Sequence, residues 1–110
     1  VVTDGSEVHA HRWITAADAL ALQARGGFEL PAPTFVSLAQ LAAFAHMESL
    51  FAAARRDTPF VYVPRHHPVP GGIISLYPGD AGYDDGALSR EGPRHRLRML
   101  EGGWGYERAL

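Results

Sequence analysis

Cysteine and lysine are both absent from this 110-residue chain. Without cysteine there are no disulfides, no thiolate nucleophile and no Cys-based zinc or iron–sulfur site, and an intracellular location is the default expectation. Without lysine there is no phosphate loop, since G-x-x-x-x-G-K-[ST] needs one, so Gly71-Gly72 is not that motif. Long hydrophobic runs are also missing: the longest in the helical middle is "LAAFA", Leu41 to Ala45, far below the ~20 residues of a membrane-spanning helix. Nor is there a signal peptide. Charge of one sign is not in excess. Ten Arg against twelve Asp plus Glu give a net charge of −2, which offers no global field to attract nucleic acid or an anionic membrane. A start on Val1-Val2, without Met, reads as a cut.

With 46% hydrophobic residues the chain can build a modest core. Glu7 to Trp13 alternates like a strand, with Trp13 as the anchor of its face. Thr15 is a suitable N-cap and Asp18 lies in the first turn, so a helix is predicted from about Ala16 to Arg25, ended by Gly26-Gly27. Two prolines in Pro31-Ala32-Pro33 predict an extended step. Ser37 and Gln40 form a capping box, predicting a second helix from about Leu38, along which Leu41, Phe44, Met47 and Phe51 make one apolar stripe. "FVYV", Phe60 to Val63, reads as a buried strand, "PRHHPVPGG" as a turn-rich connection and "IISLY" as a strand. Pro78 to Pro93 reads as a mobile polar loop, and "RHRLRML" with "WGYER" as a terminal hairpin. Two helices and about five short strands make an α+β chain.

Spacing alone names no active site. His66 and His67 are adjacent and point oppositely in an extended segment, and His9 with His11 lacks a third ligand nearby in sequence, so solvated or edge-strand imidazole is the stronger expectation over a metal site. Asp80, Asp84 and Asp85 do not follow the calcium-loop spacing and read as solvated carboxylates. No serine lies in a G-x-S-x-G elbow.

The order Trp13, Thr15, Ala19-Leu20, Gly26, Leu30, Pro31, Pro33-Thr34, Leu38 and Leu41 resembles the segment "RW-x-T-P-x-E-A-L…G…L-P-P-T…L-x-x-L" downstream of the Nudix box in Nudix hydrolases. It is most similar to the subgroup of coenzyme A and acyl-CoA diphosphatases. The likeness is good over residues 7–45. Ala16 stands where the pattern has Pro and Asp18 where it has Glu, and both keep a competent helix start. "LYPGD" and "RHRLRMLEGGWGYER" look like the C-terminal extension of some bacterial members.

The resemblance implies that residues 1–58 are the C-terminal part of a Nudix-like domain, a partial α/β/α sandwich, with 59–110 a strand-rich extension ending in a hairpin. It implies a parent hydrolase, a diphosphatase or pyrophosphohydrolase of the cytoplasm, acting on a small-molecule diphosphate such as a CoA-like compound. The resemblance also allows a homodimer and implies neither nucleic acid nor membrane. Mg²⁺ or Mn²⁺ would serve the parent enzyme, but the box G-x5-E-x7-R-E-U-x-E-E-x-G-U that holds the metal is missing: Arg90-Glu91 runs into Gly92-Pro93, and no Glu-Glu pair occurs. This chain would then carry no catalytic or metal-binding residue and would be inactive alone. Its substrate-wall candidates are Trp13 and Phe35, which could stack on a base or pantetheine, together with Arg12 for phosphate and Thr34; a core role for Trp13 is the stronger expectation. The rival readings are a non-catalytic binding or interaction module, using the exposed strands of the C-terminal half, and a small His-dependent metalloenzyme.

Overall fold

A computed structural model describes Val2, Gly5 and residues 12–110. Most of the strand expected over Glu7–Trp13 therefore lies outside the described residues. Those described comprise three helices followed by four strands, an α+β arrangement. The elements are α1 (Ala16–Ala24), α2 (Ala32–Ala42), α3 (Met47–Arg56), β1 (Arg65–Val69), β2 (Gly72–Leu76), β3 (Arg94–Leu100) and β4 (Gly103–Ala109). The strands form one antiparallel sheet in the order β1-β2-β3-β4.

α1 starts as its sequence dictates: the Thr15 hydroxyl accepts from the Asp18 amide at 3.1 Å, satisfying a first-turn donor. It ends where Gly26 takes a φ of +76°, a left-handed position that costs glycine little. α2 departs from expectation. It begins at Ala32, not Leu38, with Pro31 at the N-cap and Pro33 in the first turn, so the Pro-Ala-Pro step opens the helix instead of preceding it. Proline is tolerated there because first-turn amides have no helical acceptor. The Ser37–Gln40 capping box falls inside the helix and is unused.

The long second helix is two helices. α2 stops at Ala42 and α3 starts at Met47, bent by 112° at the break. The apolar stripe is thereby dissolved: Leu41 and Phe51 are 42% and 47% exposed and Met47 is 67% exposed. No glycine or proline marks residues 43–46, and the chain turns there through a His46 in extended conformation. Among the described residues no single helix is long and apolar enough to cross a membrane.

"FVYV" is not a strand but extended chain whose Phe60 and Tyr62 face inward while Val61 and Val63 are exposed. The segment expected to be turn-rich instead supplies β1, paired from Arg65 opposite Leu76 to Val69 opposite Gly72. Pro70 and Gly71 make the turn, with Gly71 at φ +87°, as a proline-glycine turn requires. The β3–β4 hairpin forms as expected, Arg94 opposite Ala109 through Leu100 opposite Gly103.

Side chains alternate across a sheet, so the register assigns two faces. One carries Ser75, His95, Leu97, Met99, Trp104 and Tyr106, and the helices pack on it. Its core joins Phe35 and Val36 of α2 to Tyr77 and Leu97, flanked by Leu20, Leu30, Tyr62 and Trp104, so the core draws on both sides of position 58. The other face carries Arg96, Arg98, Leu76 and Ile74, and residues 78–93 pack against it at Arg96 and His67.

Candidate functional site

Residues 78–93 are folded onto the sheet, which corrects the expectation of a solvated carboxylate at Asp80, while Asp84 and Asp85 are exposed as expected. Asp80 is 6% exposed and Arg96 4%. Arg96 donates from Nε and Nη2 to the two Asp80 oxygens, each at 2.8 Å, and from Nη1 to the Leu88 carbonyl at 3.0 Å. The Gly82 and His95 amides donate to the same carboxylate at 2.9 and 2.8 Å. Burial by itself would raise the Asp80 carboxyl, but Arg96 and the two amides outweigh it and hold the group well below the usual carboxylate range. Asp80 is therefore a permanently charged fastener, not a general base. Asp85 pairs with Arg90 at the surface, and among the described residues no group of three metal-ligating side chains converges.

The helix-side face holds a different constellation. His95 is fully buried inside a ring of aromatics: Phe60, Tyr62, Tyr77 and Tyr106 have centroids 5.1, 5.3, 5.1 and 5.7 Å from its own. Its Nδ1 lies 3.1 Å from the Pro78 carbonyl oxygen and its Nε2 2.7 Å from the Tyr106 hydroxyl. A carbonyl only accepts, so Nδ1 carries the proton. Burial, with the nearby Arg108 charge adding to it, lowers the His95 pKa and keeps the ring neutral, so Nε2 accepts from the Tyr106 O–H. Burial in turn pushes the Tyr106 phenol up, with Tyr62 contributing, and this holds Tyr106 protonated at physiological pH.

Around this cluster two cavities meet. The larger, about 690 Å³, opens between α2, α3 and β4, with Phe44, Leu50, Phe60, Tyr106 and Arg108 in its wall. The smaller, about 350 Å³, lies between α2 and the start of β1 and is bounded by Pro33, Val36, His66 and Tyr77. Ser37, Gln40 and Tyr62 line both. The Gln40 amide donates to the Tyr62 hydroxyl, so this pair forms the hydrogen-bonded part of the shared wall. Arg108 completes the edge, its guanidinium 4.9 Å from the Phe60 ring centroid and 3.4 Å from the Tyr62 hydroxyl. This is a polar seam in an apolar recess, a usual setting for a ligand.

The sequence-derived candidates lie elsewhere. Arg12 and Thr34 are exposed and Trp13 is 90% exposed, so Trp13 does not anchor a core. Phe35 is 6% exposed and packs on Trp104 with centroids 5.4 Å apart, which makes it structural. His66 and His67 do diverge. His66 Nδ1 lies 2.6 Å from the Ser75 hydroxyl on the helix side, while His67 lies on the other face, beside Gly86. Sequence reasoning missed His95, Tyr106, Tyr62, Gln40 and Arg108. The alternation in "RHRLRML" and "WGYER" carries the first, second and last of these onto one face, and that signal was readable.

Compared with known proteins, the chain matches no family model, no curated protein and no solved structure.

Proposed function

We propose that this chain is the C-terminal segment of a Nudix-type hydrolase cleaving a nucleoside-diphosphate-linked substrate, with CoA-like compounds foremost, and that Arg12 and Trp13 form part of its substrate wall. The observation that carries this reading is Trp13 at 90% exposure beside an exposed Arg12. An indole left in water forgoes the burial that normally places tryptophan in a core. An exposed aromatic ring suits a nucleobase and a guanidinium suits a phosphate, and the two residues are neighbours in the chain. The Thr34 hydroxyl is exposed in the first turn of α2 and is a further donor in this reading, while Phe35 is buried in the core. The order of residues from Trp13 to Leu41 supports the family assignment. The Mg²⁺ or Mn²⁺ of such an enzyme would be held by glutamates outside these 110 residues, because the sequence contains no Nudix box.

The rival reading, a non-catalytic interaction module, draws on the apolar surface of Met47 and Phe51, 67% and 47% exposed on α3. Calorimetric titration of the chain with ADP and with CoA separates the two. The hydrolase reading expects saturable binding to at least one, weakened at least about fivefold by Trp13→Ala and by Arg12→Ala, with melting temperature unchanged, and no Mg²⁺-dependent hydrolysis by the chain alone. Absence of binding to both, or equal binding by Trp13→Ala, overturns the substrate wall. Robust hydrolysis by the chain overturns its assignment as a non-catalytic segment.

A further inference from the structure

The geometry points to the cavity between α2, α3 and β4 as a binding site for a small amphiphilic monocarboxylate, with its carboxylate taken by Arg108 and the Gln40–Tyr62 pair, and its apolar body laid along Phe44, Leu50 and Phe60. The site shares no lining residue with the Arg12–Trp13 wall and goes beyond the reading proposed above, so each can fail without the other.

Three features of the molecule select this ligand. The first is size: about 690 Å³ falls within the range of small-molecule sites, and the wall is mostly carbon. The second is the set of donors. Arg108 stands at the rim as the arginine lining the cavity, and the ion pairs among the described residues involve Arg56, Arg90, Arg96 and Arg98 and leave it without an acidic partner. Its contacts are the face of Phe60 and a 3.4 Å approach to the Tyr62 hydroxyl. That hydroxyl also receives the Gln40 amide, so two donors already converge on one oxygen at the cavity wall. A carboxylate oxygen seated beside it accepts the Tyr62 O–H and the Arg108 N–H, and hydrogen bonds to a charged acceptor are the stronger kind.

The third feature is charge. The charged side chains lining the cavity are Arg108 and Asp57. Asp57 is paired with Arg56, which leaves Arg108 as the cation facing the cavity; one cation matches one negative charge, and a dianionic phosphate group would keep a charge unmatched. The buried cluster behind supports the same orientation. With His95 neutral and accepting from Tyr106, the cluster adds no competing positive charge.

The test uses the intact chain and three eight-carbon probes: octanoate, octanol and octyl phosphate, followed by calorimetry and by backbone amide shifts at pH 7.5. Octanoate is expected to bind saturably, with shifts centred on Gln40, Phe60, Tyr62 and Arg108. Octanol, which lacks the charge, is expected to bind at least about tenfold more weakly, as loss of a charged hydrogen bond implies, and octyl phosphate more weakly than octanoate. Arg108→Ala should remove the preference for octanoate over octanol while leaving the weak octanol binding intact. Arg108 is exposed, so this variant should keep the wild-type melting temperature. Tyr62→Phe keeps the ring and removes the hydroxyl, and should weaken octanoate only. Equal binding of octanoate and octanol, an unchanged preference in Arg108→Ala, tighter binding of octyl phosphate, or no saturable binding of octanoate would each overturn the proposal.

Discussion

The Tyr106 hydroxyl lies 2.7 Å from Nε2 of His95, and the opposite ring nitrogen of that histidine is committed to the Pro78 carbonyl. A buried imidazole with both nitrogens so occupied is a neutral structural group, and it ties the hairpin β3–β4 to the end of β2. Replacing Tyr106 with Phe keeps the ring packing but leaves Nε2 without its donor. We expect a loss of about 1–3 kcal/mol, the cost of an unmade buried hydrogen bond, measured by urea denaturation.

The same histidine sets a pH dependence. Its folded pKa lies below its ordinary value of 6.5 because of burial, so on acidification the unfolded chain takes up a proton before the folded chain does. Stability from His95 is therefore full above about pH 6.5 and is lost as pH falls below it toward the folded pKa. Urea midpoints should fall between pH 7.5 and pH 5, and NMR of the His95 ring should report titration below the ordinary histidine range. A His95 ring titrating at or above 6.5 would contradict the buried assignment.

Asp80 and Arg96 offer a sharper loss. Both are almost fully buried and bonded bidentately, so Asp80→Ala strands a guanidinium inside and should cost about 3–5 kcal/mol. The double substitution Asp80→Leu with Arg96→Met should cost clearly less than the single change, because no unpaired charge remains. Thermal and urea unfolding of both variants provide the comparison. Since the folded Asp80 pKa is depressed, its contribution is present above about pH 4 and disappears only in strong acid.

Gly72 is fixed by contact. A Cβ there would overlap the carbonyl oxygen of Met99 on the neighbouring strand, and that oxygen belongs to backbone that cannot swing away. Gly72→Ala should destabilise by about 1–3 kcal/mol or more, as overpacking does, whereas Gly102→Ala, with nothing near its Cβ position, should be mild.

The split of the second helix predicts a contrast between two phenylalanines. Phe35 at 6% exposure sits in the core and Phe51 at 47% on the surface of α3. Phe35→Ala should cost about 3–5 kcal/mol and Phe51→Ala within about 0.5 kcal/mol, as surface changes do. Had α2 and α3 been one helix with a single buried stripe, both would be costly.

What could be read from the sequence was local chemistry with one dominant signal. Thr15 before Asp18 and the pair Gly26-Gly27 bounded α1 within a residue, and the alternation around Gly102-Gly103 gave the last hairpin. Failures came where two signals competed. Pro31 and Pro33 suit an extended step and a helix start equally, and the capping-box spacing at Ser37 then misplaced the start of α2. The break at residues 43–46 carries no glycine or proline, so packing alone decides it. His66 and Pro68 made β1 look like a turn, although a proline is tolerated on an edge strand, and β1 is at the sheet edge. The Asp80–Arg96 fastener joins residues sixteen apart across a loop, and composition could show only a polar stretch. The His95 cluster needs the register of three strands plus the inward turn of Phe60 and Tyr62, so only part of it was visible in the alternation.

The substrate-wall assignment rests on Trp13, and the two tryptophans of the chain allow a direct test. The indole Nε1–H resonances of Trp13 and Trp104 should be followed by NMR while ADP is added to the intact chain. Stacking on the exposed Trp13 predicts that its resonance moves saturably while that of Trp104, packed on Phe35, stays in place. An unmoved Trp13 resonance at saturating ADP, or movement of Trp104 alone, would contradict the account.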